Sequence, residues 1–137
     1  MAGDSRSRPP DAQRPPTATS GLPGVTVVST TYVRYDPPRK RAQGAEWVDV
    51  TDAVEIVVRT DADLQLERAV TPVLFVGDRI VRQLKQEGPN QYRFTLYDYR
   101  DVPRGATIAF GMPHSQPEAR QLVASRYDPS NLPGNVA

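Results

Sequence analysis

Val76-Gly77-Asp78-Arg79 restricts this chain more than any other stretch, because it offers a two-residue reversal between two runs of strand-forming residues. Glycine reaches a positive φ at little cost, and a type II′ turn demands that φ at its first central position. Thr71 to Val76 on one side and Arg79 to Leu84 on the other are therefore predicted to form an antiparallel hairpin, with Ile80, Arg82 and Leu84 opposed in face to Val81 and Gln83. A hairpin is scaffolding, however, and no stretch of comparable strength marks a reaction or a ligand.

Similar signals recur along the chain. Val25, Val27, Thr31, Val33 and Tyr35 share one parity in a β-branched run and predict a first strand, ended by Asp36-Pro37-Pro38. Arg39 to Gly44 then reads as a projecting polar loop. Trp47, Val48 and Val50 suggest a short strand, and Val54, Ile56 and Val58 alternate within a half-buried one. Leu64 and Leu66 begin a further extended piece. Gly88-Pro89-Asn90 is a turn, and the strand after it places Tyr92, Phe94 and Leu96 inward against Arg93, Thr95 and Tyr97. Thr107 to Phe110 gives another short strand.

Residues 115–127 admit two readings. Ser115 with Glu118 fits a capping box at the start of a helix, whereas Gln121 to Tyr127 fits a closing strand, and the strand is preferred. About eight short strands separated by turn residues predict an all-β antiparallel sandwich. In this pattern, and in no specific motif, residues 24–127 resemble immunoglobulin-like and fibronectin-type domains, without the Cys-Trp-Cys core of antibody domains. The resemblance implies a fold and no function.

The domain is expected over residues 23–128. Residues 1–22 carry the Pro9-Pro10 and Pro15-Pro16 doublets and almost nothing large and apolar, which predicts a disordered tether; residues 129–137 are expected to fray. The remaining length is enough for one small sandwich. No apolar run approaches the roughly 20 residues of a membrane helix, so no membrane span is expected and the chain reads as soluble. The first residues hold no apolar segment of the kind a signal peptide needs, but a leader already removed would leave the same sequence, so both cytoplasmic and extracytoplasmic locations stay open.

Cysteine is absent, which removes disulfides, thiolate metal sites and cysteine nucleophiles together. The chain carries 17 basic and 16 acidic side chains. Three arginines and two aspartates fall in the first 22 residues, so the rest balances at 14 of each. A neutral body argues against a dedicated nucleic-acid binder.

Chemistry is sparsely signalled. His114, the only histidine, lies in a loop and reads as solvent-facing. Signatures of nucleotide-binding loops, zinc proteases and serine hydrolases are missing, and no catalytic residue, metal site or cofactor is expected. Asp98 and Asp101, and the group Asp49, Asp52 and Glu55, would serve a small hydrolase only if paired carboxylates converged. The better candidates are binding residues: Tyr97, Tyr99 and Arg100 at a strand exit, and Trp47, all types enriched in interaction hot spots. Arg39-Lys40-Arg41 is the one basic triplet and reads as a polar hairpin tip. The function expected is a non-catalytic protein–protein binding or assembly module, its partner another protein or a subunit of a larger assembly. The alternative is a carbohydrate-binding module in which Trp47, Tyr97 and Tyr99 share a face.

Overall fold

Two four-stranded antiparallel sheets enclose the core in a computed structural model that describes residues 23–67 and 70–133. The strands are β1 (Val25–Gln43), β2 (Glu46–Thr60), β3 (Val73–Val76), β4 (Arg79–Val81), β5 (Gln83–Gly88), β6 (Gln91–Leu96), β7 (Thr107–Gly111) and β8 (Gln121–Arg126). Their order is β1-β2-β6-β5 in one sheet and β4-β3-β7-β8 in the other. The expected all-β antiparallel sandwich is therefore the fold observed. Residues 1–22 and 134–137, with the expected tether and the end of the expected frayed segment, lie outside the described residues.

The alternation rule places the core correctly on the best strands. Val54, Ile56 and Val58 of β2 and Tyr92, Phe94 and Leu96 of β6 face Leu74 and Val76 of β3 and Ile108 and Phe110 of β7, all within 7 % exposure. Each such apolar side chain contributes about 1.5–3 kcal/mol on burial. Gly77 takes φ +57° between the paired Val76 and Arg79, as the expected hairpin turn requires. After Val81 the chain changes sheets at Arg82, so the expected single arm from Arg79 to Leu84 is divided between β4 and β5.

β1 departs from expectation twice. Val28 is an extra residue between the pairs Val27↔Val58 and Ser29↔Val57, and this bulge reverses the strand's faces. Val25 and Val27 pack toward the core before it, Thr30 and Tyr32 after it, while Thr31 and Val33 pair with Glu55 and Ala53 on the outer face. The single parity expected from Val25 to Tyr35 therefore does not hold. Pro37 and Pro38 do not end the strand either, because a second irregularity between Arg34 and Arg39 absorbs them and pairing resumes at Arg39↔Val50. The expected loop at Arg39 to Gly44 is the outer half of a strand, and the two strands expected within residues 47–58 are one continuous β2.

Leu64 to Leu66 forms no strand. The Tyr92 hydroxyl donates to Asp63 Oδ1 at 2.9 Å and accepts from the Leu64 N–H at 2.9 Å, while the Gln65 N–H donates to Asp63 at 3.0 Å and Gln65 takes φ +57°. The segment is a pinned turn, and these two donors hold the Asp63 carboxyl below its ordinary range. At the other end, the preferred closing strand is present as β8; Ser115 Oγ accepts from the Met112 N–H instead of capping a helix, and only a single 3₁₀ turn follows at Pro117–Ala119. The chain expected to fray from residue 129 is held at its start: Ser130 bridges Thr31, donating to Thr30 O and accepting from the Tyr32 N–H, both at 2.9 Å.

Candidate binding cleft and arm

β6 pairs with β2 only from Val54 to Arg59, so the outer halves of β1 and β2 leave the sheet as a two-stranded arm, Arg39–Gln43 against Glu46–Val50. Gly44, at φ +65°, turns it. Lys40 and Asp49 face each other across the ribbon and form an ion pair. Near the tip Trp47 is 69 % exposed and Val48 41 %, on strands with no layer above them. Single exposed apolar residues are ordinary, but a tryptophan at the end of a projecting ribbon is not the product of core packing.

The arm is rooted by two polar clusters. On the inner side, the half-buried Asp52 accepts from the Tyr32 hydroxyl at 2.8 Å and the Tyr99 hydroxyl at 2.9 Å, with Arg100 3.5 Å away. The two rings meet edge to face at 5.6 Å. Burial, reinforced by the Asp52 hydrogen bond and charge, raises the Tyr99 hydroxyl pKa far above its usual value. On the outer side, the buried Glu55 is bonded by Arg93 and by the Tyr35 hydroxyl at 2.8 Å, with Arg39 4.0 Å away. Burial also raises Tyr35, ahead of its bond to Glu55. Arg93 also pairs with Glu87, whose hydrogen bond leads the upward shift of the guanidinium. Arg39 lies 3.9 Å over the Tyr35 ring.

Between the arm and the sheet runs a cleft. Its larger part, about 570 Å³, is bounded by Lys40, Arg41, Ala42 and Trp47 on the arm and by Arg79 to Gln83 and Thr95 to Asp98 opposite. A smaller part, about 260 Å³, continues beneath Arg39 along Gln83 to Lys85, and the two share Gln83, Thr95 and Tyr97. Arg41 spans the space, 4.7 Å above the Tyr97 ring and 4.0 Å from Asp98.

Of the four binding residues expected from sequence, the structure brings Tyr97 and Trp47 to one cleft and separates the other two. Tyr99 is 1 % exposed, so the expected surface cluster of Tyr97, Tyr99 and Arg100 is not formed, nor do Trp47, Tyr97 and Tyr99 share one face. The reason is local: β6 ends at Leu96, Asp98 leaves extended geometry, and the 3₁₀ turn Tyr99–Asp101 rotates Tyr99 inward while Arg100 covers its ring from outside at 4.7 Å. Asp98 and Asp101 each answer a different arginine, Arg41 at 4.0 Å and Arg79 at 2.8 Å. His114 is exposed in its loop. Arg39, Lys40 and Arg41 belong to a strand of the arm; the tip itself is Gly44 and Ala45. Arg82 and Lys85, on opposite parts of the cleft, were not singled out from sequence, and only their place beside the sheet change at Arg82 identifies them.

The class that these observations define is a two-sheet antiparallel β-sandwich carrying a projecting two-stranded arm. Comparison with protein-family models, with curated proteins and with solved structures finds no match for this chain. No helix among the described residues is long and apolar enough to cross a membrane.

Proposed function

We propose that this chain is a non-catalytic protein-binding or assembly module whose contact element is the arm with the cleft at its base. The observation that carries the reading is the position of Trp47, 69 % exposed at the end of a ribbon rooted by Asp52 and Glu55. A large aromatic already displayed on a hydrogen-bonded ribbon can insert into a partner pocket, and tryptophan, tyrosine and arginine dominate hot spots. Sandwiches of the immunoglobulin and fibronectin pattern supply an analogy of architecture only. Carbohydrate recognition is a second reading, favoured by Trp47 and Tyr97 lining one cleft, where flat rings could stack on a sugar.

Photo-crosslinking in the source cells tests this, with p-benzoylphenylalanine replacing Trp47 in one strain and the equally exposed Leu122, on β8, in another. The expected result is a defined protein adduct from position 47 that is absent from position 122. Adducts that disappear on glycosidase treatment would favour the sugar reading, and identical patterns from both positions would remove the arm from the account.

A further inference from the structure

The cleft concentrates charge that the body as a whole does not have. Seven of the body's 14 cations line its two parts, against only Glu87 and Asp98 among its 14 carboxylates. Several of the seven are answered nearby: Lys40 by Asp49, Arg79 by Asp101, Arg93 by Glu55 and Glu87. Arg82 and Lys85 are exposed and have no carboxylate within 4.0 Å among the described residues. These two cations stand on either side of Gln83, at the start of β5, and the cleft follows that strand.

β5 is the edge of its sheet. Gln83 to Gln86 pair with β6 on one side, and among the described residues none of their backbone groups is bonded to another element on the other. Such a row of amide and carbonyl groups can be satisfied in register only by another polypeptide backbone, which neither a glycan nor a nucleic acid supplies. Lysine on an edge blunts indiscriminate strand pairing, yet it attracts an acidic strand.

Resting on the protein-binding reading above, we propose that the partner presents an extended acidic segment that adds to the free edge of β5, beside this cleft. Its carboxylates meet Arg82 and Lys85, and an apolar or aromatic side chain seats against the exposed Trp47. Main-chain pairing gives the direction of the segment and the cations give its charge preference.

The test uses the full chain and a short fluorescein-labelled peptide in which glutamate alternates with valine and tyrosine, followed by fluorescence anisotropy. Three further probes are the lysine counterpart, the acidic peptide N-methylated at alternate residues, and heparin or oligothymidylate. Saturable binding of the acidic peptide is expected, with none for the lysine counterpart, loss on N-methylation, and roughly tenfold weakening by Arg82→Gln with Lys85→Gln. Both side chains are exposed, so circular dichroism of the variant should match the parent. Absence of binding by the acidic peptide overturns the inference. So does binding that survives N-methylation, or that heparin or oligothymidylate matches, since either marks a general polyanion surface. A protein adduct from position 47 alongside a silent acidic peptide would keep the protein-binding reading and discard only the acidic strand.

Discussion

The body and the arm are parts of one pair of strands, yet they are built on opposite principles. In the body, the inner halves of β1 and β2 lie beneath a second sheet, and Val54, Ile56 and Val58 are wholly buried. Two of its four edges are blunted: Ser130 covers β1, where a bulge also interrupts the strand at Val28, and β4 has three residues. In the arm, the outer halves of the same strands keep their ladder but have no layer to pack on, and their largest side chain faces water. The contrast teaches that the ladder alone does not determine what a strand is for. Where an apolar layer covers it, alternation builds a core; where none does, the same geometry displays side chains.

The contrast can be broken or sharpened by substitution. The largest effect belongs to the core: Phe94→Ala should cost about 3–5 kcal/mol in chemical denaturation, by lost burial and the cavity left between sheets. A loss under about 1 kcal/mol would mean that the sheets do not share a packed interior. Next comes the junction, where Asp52→Ala strands the Tyr32 and Tyr99 hydroxyls and should cost about 1–3 kcal/mol. If the arm is rooted there, hydrogen exchange should accelerate across the paired residues 39–50 more than in β7 and β8.

Alkali should act on the body through its tyrosines. Burial raises the hydroxyls of Tyr35, Tyr92, Tyr99 and Tyr127 above the ordinary value of 10.0, Tyr127 being pushed up to about 12. A tyrosine whose pKa is higher folded than unfolded contributes stability that is fully present below pH 10 and is lost as pH rises through the folded value. Stability should therefore fall from pH 10 to about 12, tracked by denaturation midpoints, with tyrosinate absorbance appearing together with unfolding. Full ionisation without loss of structure would contradict the burial assigned to these rings. The smallest effect belongs to the arm: Trp47→Ala should change stability by less than about 0.5 kcal/mol.

Much of the body was legible because its best strands obey a strict two-residue period. β6 and the inner part of β2 place alternate residues toward the second sheet as the pattern requires, and Gly77 announces its own turn. β2 is nevertheless not half-buried as expected, since Ala53, Glu55 and Val57 on its other face are buried too. The single parity expected of β1 fails because one extra residue at Val28 exchanges faces and leaves no mark in composition. Pro37 and Pro38 resembled terminators since proline withholds a ladder hydrogen bond, but an irregular edge strand accommodates both. The parity of β6 does not carry past Leu96 into the 3₁₀ turn Tyr99–Asp101, where a different period applies and Tyr99 is turned inward. Trp47 and Tyr97 were visible as residue types, whereas the cleft they share depends on the bend of the arm and on the sheet change at Arg82, which are long-range geometry.

Trp47 is the chain's single tryptophan, so its fluorescence reports on the arm alone. If Trp47 is displayed to solvent at the end of the arm, native emission should lie close to that of the denatured protein, and acrylamide should quench both almost equally. Blue-shifted native emission shielded from quencher would show the indole packed away, and with it the claim that this fold displays an aromatic for a partner would fail.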